Sequence, residues 1–474
     1  MRWGTKISVD ISKGPVHEGI NMNTTAICAV TIFAALMAAP VHAQDAAQVG
    51  SMGDLSDVRT IKIERGLTEQ GQKCVACHAD QTPGIVADWK SSRHSHVGVS
   101  CLDCHRVDAD SPMAVSHEIL IDKDKYSASD VDSDVFVSVL VPPGVCGRCH
   151  AQELDESNKA GHFRGYRQII PKDSLHALVK THEGQGNEQS GMASWETGCM
   201  QCHGTEIKLD EDNRPTPETW PNYGIGNVYP DDSTGNCGAC HTRHKFSIAE
   251  ARQPAACASC HLGPDHPDIE IYENSKHGQI YATEGHTWNW DAPPDAWEPG
   301  DYRAPTCATC HMSGIGELST THNISERLFW NLWAKESKVR NSPDPMSPLT
   351  GNGPEGRLKM QQVCSSCHST LHTEGFFKQG DKAVNLYNTS YWAPAKKMHD
   401  ELSEKGLLKE NPWIDQFQIT FYHLWHHEGR RARQGAMMGG PDYAHWHGFF
   451  ELQQDIYELE DIHRKRIETG KIED

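Results

Sequence analysis

Eight times in this chain, two cysteines three residues apart are followed directly by a histidine. The segments are CVACH (74–78), CLDCH (101–105), CGRCH (146–150), CMQCH (199–203), CGACH (237–241), CASCH (257–261), CATCH (307–311) and CSSCH (364–368). Two thiols at this spacing reach the two vinyl groups of one porphyrin, and the adjacent histidine is held beneath its iron. A single such motif is also compatible with a zinc knuckle or a redox dithiol. Zinc does not require a histidine after every pair, and structural disulfides leave the histidines unexplained. The set therefore predicts covalent c-type haem. Its attachment residues are Cys74, Cys77, Cys101, Cys104, Cys146, Cys149, Cys199, Cys202, Cys237, Cys240, Cys257, Cys260, Cys307, Cys310, Cys364 and Cys367. The proximal iron ligands are His78, His105, His150, His203, His241, His261, His311 and His368.

Composition agrees with this reading. Only 37% of the 474 residues are apolar, and mean hydropathy is −0.61. Side chains alone make a thin core for such a length, so haem faces are expected to supply part of it. The motifs follow no fixed period, which excludes a repeat solenoid. One irregular chain wrapped around a haem cluster is expected, mainly α-helical, with scarce strands. PPGVCGR, DDSTGN and APPDAWEPGDYRAP read as loops.

The N-terminus reads as an export signal. TTAICAVTIFAALMAAPVHA (24–43) is an apolar run closing on an A-x-A-like site. Cleavage near Ala43 would remove Cys28, the one cysteine of 17 outside the motifs. The start is Met1 or Met22, and an uncleaved anchor is the alternative. No later run approaches the ~18 apolar residues of a membrane span. A periplasmic protein without stable membrane insertion is expected. Its formal charge of −20 disfavours nucleic acid and anionic membranes as partners, and suits a basic protein partner or simple solubility. Three regions are expected: the signal at 1–43, a haem-binding catalytic region at 44–370, and a C-terminal helical region at 371–474. In the last, segments 413–438 and 449–471 carry helical periodicity, with apolar faces free to pack on the haem core or on another subunit.

Histidines outside the motifs are candidates for the second axial position. His94, His117, His162, His176, His244, His277 and His322 lie between motifs in short polar segments. His244 is three residues after His241 and cannot bind the same iron from the opposite face, but can reach another. An electron-passing haem takes two strong axial ligands, whereas a catalytic haem keeps one face open. Histidine supply exceeds both demands, so counting does not decide. A surface role or a bond to a propionate is the plain alternative for each.

The ordered set of eight motifs, CASCHLGPDHP, HTWNW, APTCATCHMSG and GPDYAHWHG resembles the octahaem hydroxylamine oxidoreductases across residues 60–465. The resemblance implies a secreted, mainly α-helical homotrimer with seven bis-histidine haems and one catalytic haem. The catalytic haem would be the fourth, held by Cys199, Cys202 and His203, and joined covalently to Tyr443 of a neighbouring subunit. Tyr457, Tyr422, Tyr391 and Tyr387 are lesser candidates for that link, and a tyrosine merely packed beside Trp446 is the plain one. Asp265 and His266 would lie above the catalytic iron as proton acceptors. On sequence alone Asp265 could cap a turn and His266 could ligate a haem. The implied substrate is hydroxylamine, oxidised to nitric oxide or nitrite, with electrons passed to a soluble cytochrome c. Hydrazine oxidation, nitrite or hydroxylamine reduction, and pure electron transfer are the competing readings.

Overall fold

The computed structural model describes residues 66–117, 135–169, 195–341 and 353–472. The expected signal sequence, Cys28 and His176 lie outside these residues. All that is described belongs to one compact unit, Lys62–Asp474. The architecture is mainly α, as expected. The one sheet among the described residues pairs Val115–Ser116 with Phe136–Val137, antiparallel.

Each motif is folded as about one helical turn. The histidine backbone N–H donates to the carbonyl of the first cysteine, at 2.9 Å for His150 on Cys146 and 3.0 Å for His241 on Cys237. The same bond is 3.0 Å for His261 on Cys257 and 2.9 Å for His368 on Cys364. Residues three and four apart share a helix face, so both thiols and the imidazole are presented together. Local caps start these short turns. Ser100 N–H donates to Asp103 Oδ2 at 2.6 Å, closing a capping box over Cys101–His105. PPGVCGR is a correction to the loop expectation. Pro143–Gly147 is a short helix, because proline at the first helical position has no N–H to leave unpaired.

The C-terminal part is a helical layer with its own apolar core. Helices Thr370–Tyr387, Ala393–Glu404, Gln416–His423 and Glu451–Thr469 bury Tyr387, Leu402, Phe417, Leu424, Leu452 and Leu459 completely. The apolar faces of 413–438 and 449–471 thus pack largely on each other and on the two preceding helices. A second cluster holds Trp288, Trp297 and Tyr302, with the last two rings 4.4 Å apart. Four π-helical turns occur among the described residues: Trp195–Cys199, Asn388–Trp392, Leu424–Glu428 and His445–Phe450. Such turns are rare and concentrate at functional sites.

Candidate haem and catalytic site

The motif histidines have partners at a telling separation. Two imidazole nitrogens about 2 Å either side of one metal ion put their ring centres roughly 6 Å apart. The rings of His78 and His117 are 6.3 Å apart, those of His150 and His94 6.3 Å, and those of His105 and His244 6.1 Å. His241 and His322 stand 6.4 Å apart, and His368 and His277 6.1 Å. Around His261 the structure places two rings, His162 at 5.9 Å and His266 at 6.1 Å. His311 lies within electrostatic reach of His162.

Nδ1 of several motif histidines is already engaged. His105 Nδ1 donates to the Ser138 carbonyl at 2.7 Å, and His78 Nδ1 lies 3.0 Å from Thr82 Oγ1. His261 Nδ1 lies 2.7 Å from Asp268 Oδ2. A carbonyl only accepts, so the His105 proton sits on Nδ1 and Nε2 is left for a metal. None of the 16 motif cysteines is paired in a disulfide. Among the described residues no three His, Cys, Asp or Glu groups converge to hold a bare metal ion. Paired imidazoles, oriented Nδ1 atoms and thiols outside disulfides together fit haem.

The thiols also show how the motifs neighbour one another. Cys74 and Cys101 interact, as do Cys104 and Cys146. Cys146 lies against Cys237. Cys240 faces Cys257 and Cys260. Cys257 bonds Cys307, and Cys310 faces Cys364 and Cys367. The fourth motif stands off this line. Its Cys202 bonds Cys260 and donates to the Ser259 carbonyl at 3.8 Å. In space the order is therefore first, second, third, fifth, sixth, seventh, eighth, with the fourth attached to the sixth.

Glycines seat the fourth motif. Helix Met200–His203 ends at Gly204, whose φ of +83° suits glycine. A Cβ on Gly224 would meet Gly204 N at 2.0 Å and the Met200 carbonyl at 2.3 Å.

Asp265 and His266 follow the sixth motif on the loop Gly263–Pro267. His266 Nε2 is 3.5 Å from Asp265 Oδ1. Its Nδ1 is buried and has no hydrogen-bond partner. The Trp333 ring stacks on His266, centroids 5.5 Å apart at 23°. Two arginines hold the loop from the C-terminal helices. Arg431 Nε donates to the Pro264 carbonyl at 2.9 Å. Arg430 Nη1 reaches Asp265 Oδ2 at 3.4 Å while its Nε donates to the Trp333 carbonyl at 2.9 Å. Sequence reasoning missed Arg430, Trp333 and His426, and weighed Tyr422 only for the cross-link. Three histidines within five residues, YHLWHH, were the available signal.

Tyr443 is half-buried. It lines a cavity of about 270 Å³ with Gly263, Pro264, Glu270, Arg431 and His447. Trp446 and Phe450, three and seven residues on, have rings 5.3 Å apart and are 55% and 46% exposed, an aromatic pair on the surface of the chain. Trp446 is thus no buried packing partner. Tyr387 and Tyr391 are buried in the C-terminal core.

Comparison with known proteins agrees with this picture at the level of class. Residues 229–412 match the family model described as seven times multi-haem cytochrome CxxCH. Residues 37–106 match that of cytochrome c554 and c-prime. A curated relative from Kuenenia stuttgartiensis, a probable nitrite reductase-hydroxylamine oxidoreductase fusion protein, is 31% identical over 326 residues. The match covers 63% of this chain but only 34% of that protein, so the chain spans about a third of the relative. A solved hypothetical multiheme protein superposes with TM-score 0.71 at 23% identity, over 89% of this chain and 100% of the other. A reducing HAO-like protein complex from Kuenenia stuttgartiensis superposes with TM-score 0.59 at 21% identity, over 85% and 86%. Motifs, matched segments and fold are together similar to those of multihaem cytochromes c, and the relatives with HAO-like names are distant.

Proposed function

We propose that this protein is an exported oxidoreductase that oxidises hydroxylamine at one open haem on the fourth motif. The other haems relay electrons to a soluble cytochrome c. The observation that carries the reading is the Asp265–His266 pair. It is partly buried beside the stacked Trp333 ring, has a buried Nδ1 without a hydrogen-bond partner, and follows the motif whose Cys260 touches the fourth motif. A buried polar atom without a partner calls for an explanation, and a proton-accepting role supplies one. Taking hydroxylamine to nitric oxide releases one proton with each electron. The haem cluster would supply the electron sink. His266 is placed to accept a proton, and Asp265 to orient it and to balance its charge.

Tyr443 would decide the direction of reaction. Its half-buried position near an exposed aromatic pair supports a role at a contact with a second copy in a homotrimer. A covalent bond to the porphyrin distorts it and alters its potential. One relative is described as a probable nitrite reductase fusion and one as a reducing complex, which favours reduction of nitrite as the second reading. Hydrazine would fit the same site.

The test is the optical spectrum of the fully reduced protein together with hydroxylamine turnover. A red-shifted band beside the ordinary c-type bands, lost in Tyr443→Phe along with oxidation, is the expected result. Ordinary bands alone, with nitrite reduced and hydroxylamine untouched, would overturn oxidation in favour of the reductase.

A further inference from the structure

The two oxygens of Asp265 keep different company. Oδ1 faces His266. Oδ2 faces Arg430 and, at 3.8 Å, Nε2 of His426. His426 is buried, 6% exposed. Its Nδ1 is 2.7 Å from the Tyr422 hydroxyl, and its ring stacks on that phenol at 4.4 Å and 25°. Tyr422 lies at the end of helix Gln416–His423, and His426 within the π turn Leu424–Glu428. The wider turn rotates His426 relative to an ordinary helical register.

Protonation follows from the partners. An ionised carboxylate only accepts, so the nitrogen facing Asp265 must carry the proton of a neutral imidazole. Nδ1 is then an acceptor, and the Tyr422 hydroxyl donates to it. Tyr422 is fitted to remain the donor, because burial, and after it the Asp265 charge, hold its phenol above the ordinary range. The tautomer of His426 is thus fixed from both ends. Oδ2 accepts from Arg430 and faces the His426 N–H, and the lone pairs of Oδ1 are left to His266.

We propose that His426, oriented by Tyr422, is the positioning residue of Asp265, anchoring Oδ2 so that Oδ1 stays aligned with His266. The proposal rests on reading Asp265–His266 as the proton-handling pair, and holds for oxidation and reduction alike. The 3.8 Å gap exceeds a direct hydrogen bond. Contacts of this kind tighten when substrate binds or take a bridging water.

Tyr422→Phe keeps the stacked ring and removes the donor. His426→Gln keeps an N–H toward Asp265 and removes the ring nitrogen that accepts from Tyr422. Each is expected to lower kcat about 10–100-fold with KM little changed, the usual cost of losing an orienting partner. The double variant should be no worse than the poorer single one, since both cut the same link. A crystal structure of Tyr422→Phe should show the Asp265 carboxylate turned away from its wild-type plane, with haem content and melting temperature unchanged. Unaltered kcat with an unmoved Asp265, or losses that multiply in the double variant, would overturn the proposal. Asp265→Asn separates the two readings. If it leaves turnover of hydroxylamine and of nitrite intact, the proton-handling reading falls and the positioning role with it. If it abolishes turnover while Tyr422→Phe does nothing, only the positioning role falls.

Discussion

At the scale of single residues, Asp265 and His266 were singled out through the resemblance carried by CASCHLGPDHP, since on sequence alone one could cap a turn and the other ligate a haem. Arg430, Trp333 and His426 were not. They come from segments far along the chain, and helical periodicity records only which side of a helix is buried, not what it is buried against. Asp268 is a similar case. Its carboxylate lies 2.7 Å from His261 Nδ1, and such a partner raises the basicity of a ligating imidazole. Asp268→Asn should therefore raise the reduction potential of the sixth-motif haem, because a less basic ligand stabilises ferric iron less. Spectroelectrochemical titration checks the direction, and an unchanged potential would show that Asp268 only packs.

At the scale of elements, the helical character of the C-terminal part was readable from spacing, whereas its π turns were not. A wider turn is stabilised by what surrounds it, and no local residue pattern specifies it. The glycines around the fourth motif are likewise silent in sequence, since a turn glycine and a close-packing glycine look alike. The structure distinguishes them at Gly224, where backbone approaches backbone. Gly224→Ala forces these strands of chain apart. It should destabilise the protein by about 1–3 kcal/mol, the ordinary cost of overpacking. It should also reduce haem content at the fourth motif, read by pyridine haemochrome assay beside a melting curve. Gly263→Ala, with open space at its Cβ but φ of +92°, should cost backbone strain without loss of haem.

At the scale of the whole molecule, two buried acidic features set how stability follows pH. Asp415 and Arg466 are fully buried and paired at 3.0 Å, tying the start of helix Gln416–His423 to the C-terminal helix. Burial opposes the Asp415 charge, but the bonds from Arg466, the Lys409 N–H and Gln418 together outweigh it and hold the carboxyl below its usual range. A depressed acid stabilises above its unfolded value, about 4, and this stability is lost as pH falls through the folded value. Arg466→Met strands that carboxylate and should cost about 3–5 kcal/mol in denaturant melts. Glu428 and Asp455 behave oppositely. Burial pushes them up to about 7 and about 8, with Glu428 adding to the effect on Asp455. Glu451 and Glu458 raise Asp455 further, while Arg431 lowers both. Raised acids are protonated when folded and ionised when unfolded, so stability should decline as pH rises from about 4 to 8. Asp455→Asn should flatten that decline in melts taken across the range. The spatial order of the motifs was the least legible feature, since spacing along the chain says nothing of which turn meets which. That order makes the molecule a trunk with a single spur. Among the described residues the spur meets the trunk at the sixth motif, from which a long branch runs back to the first and a short one runs on to the eighth. Cutting either tip would shorten a branch and leave the other open. Cutting the junction would divide the trunk and remove the spur's contact with it at the sixth motif.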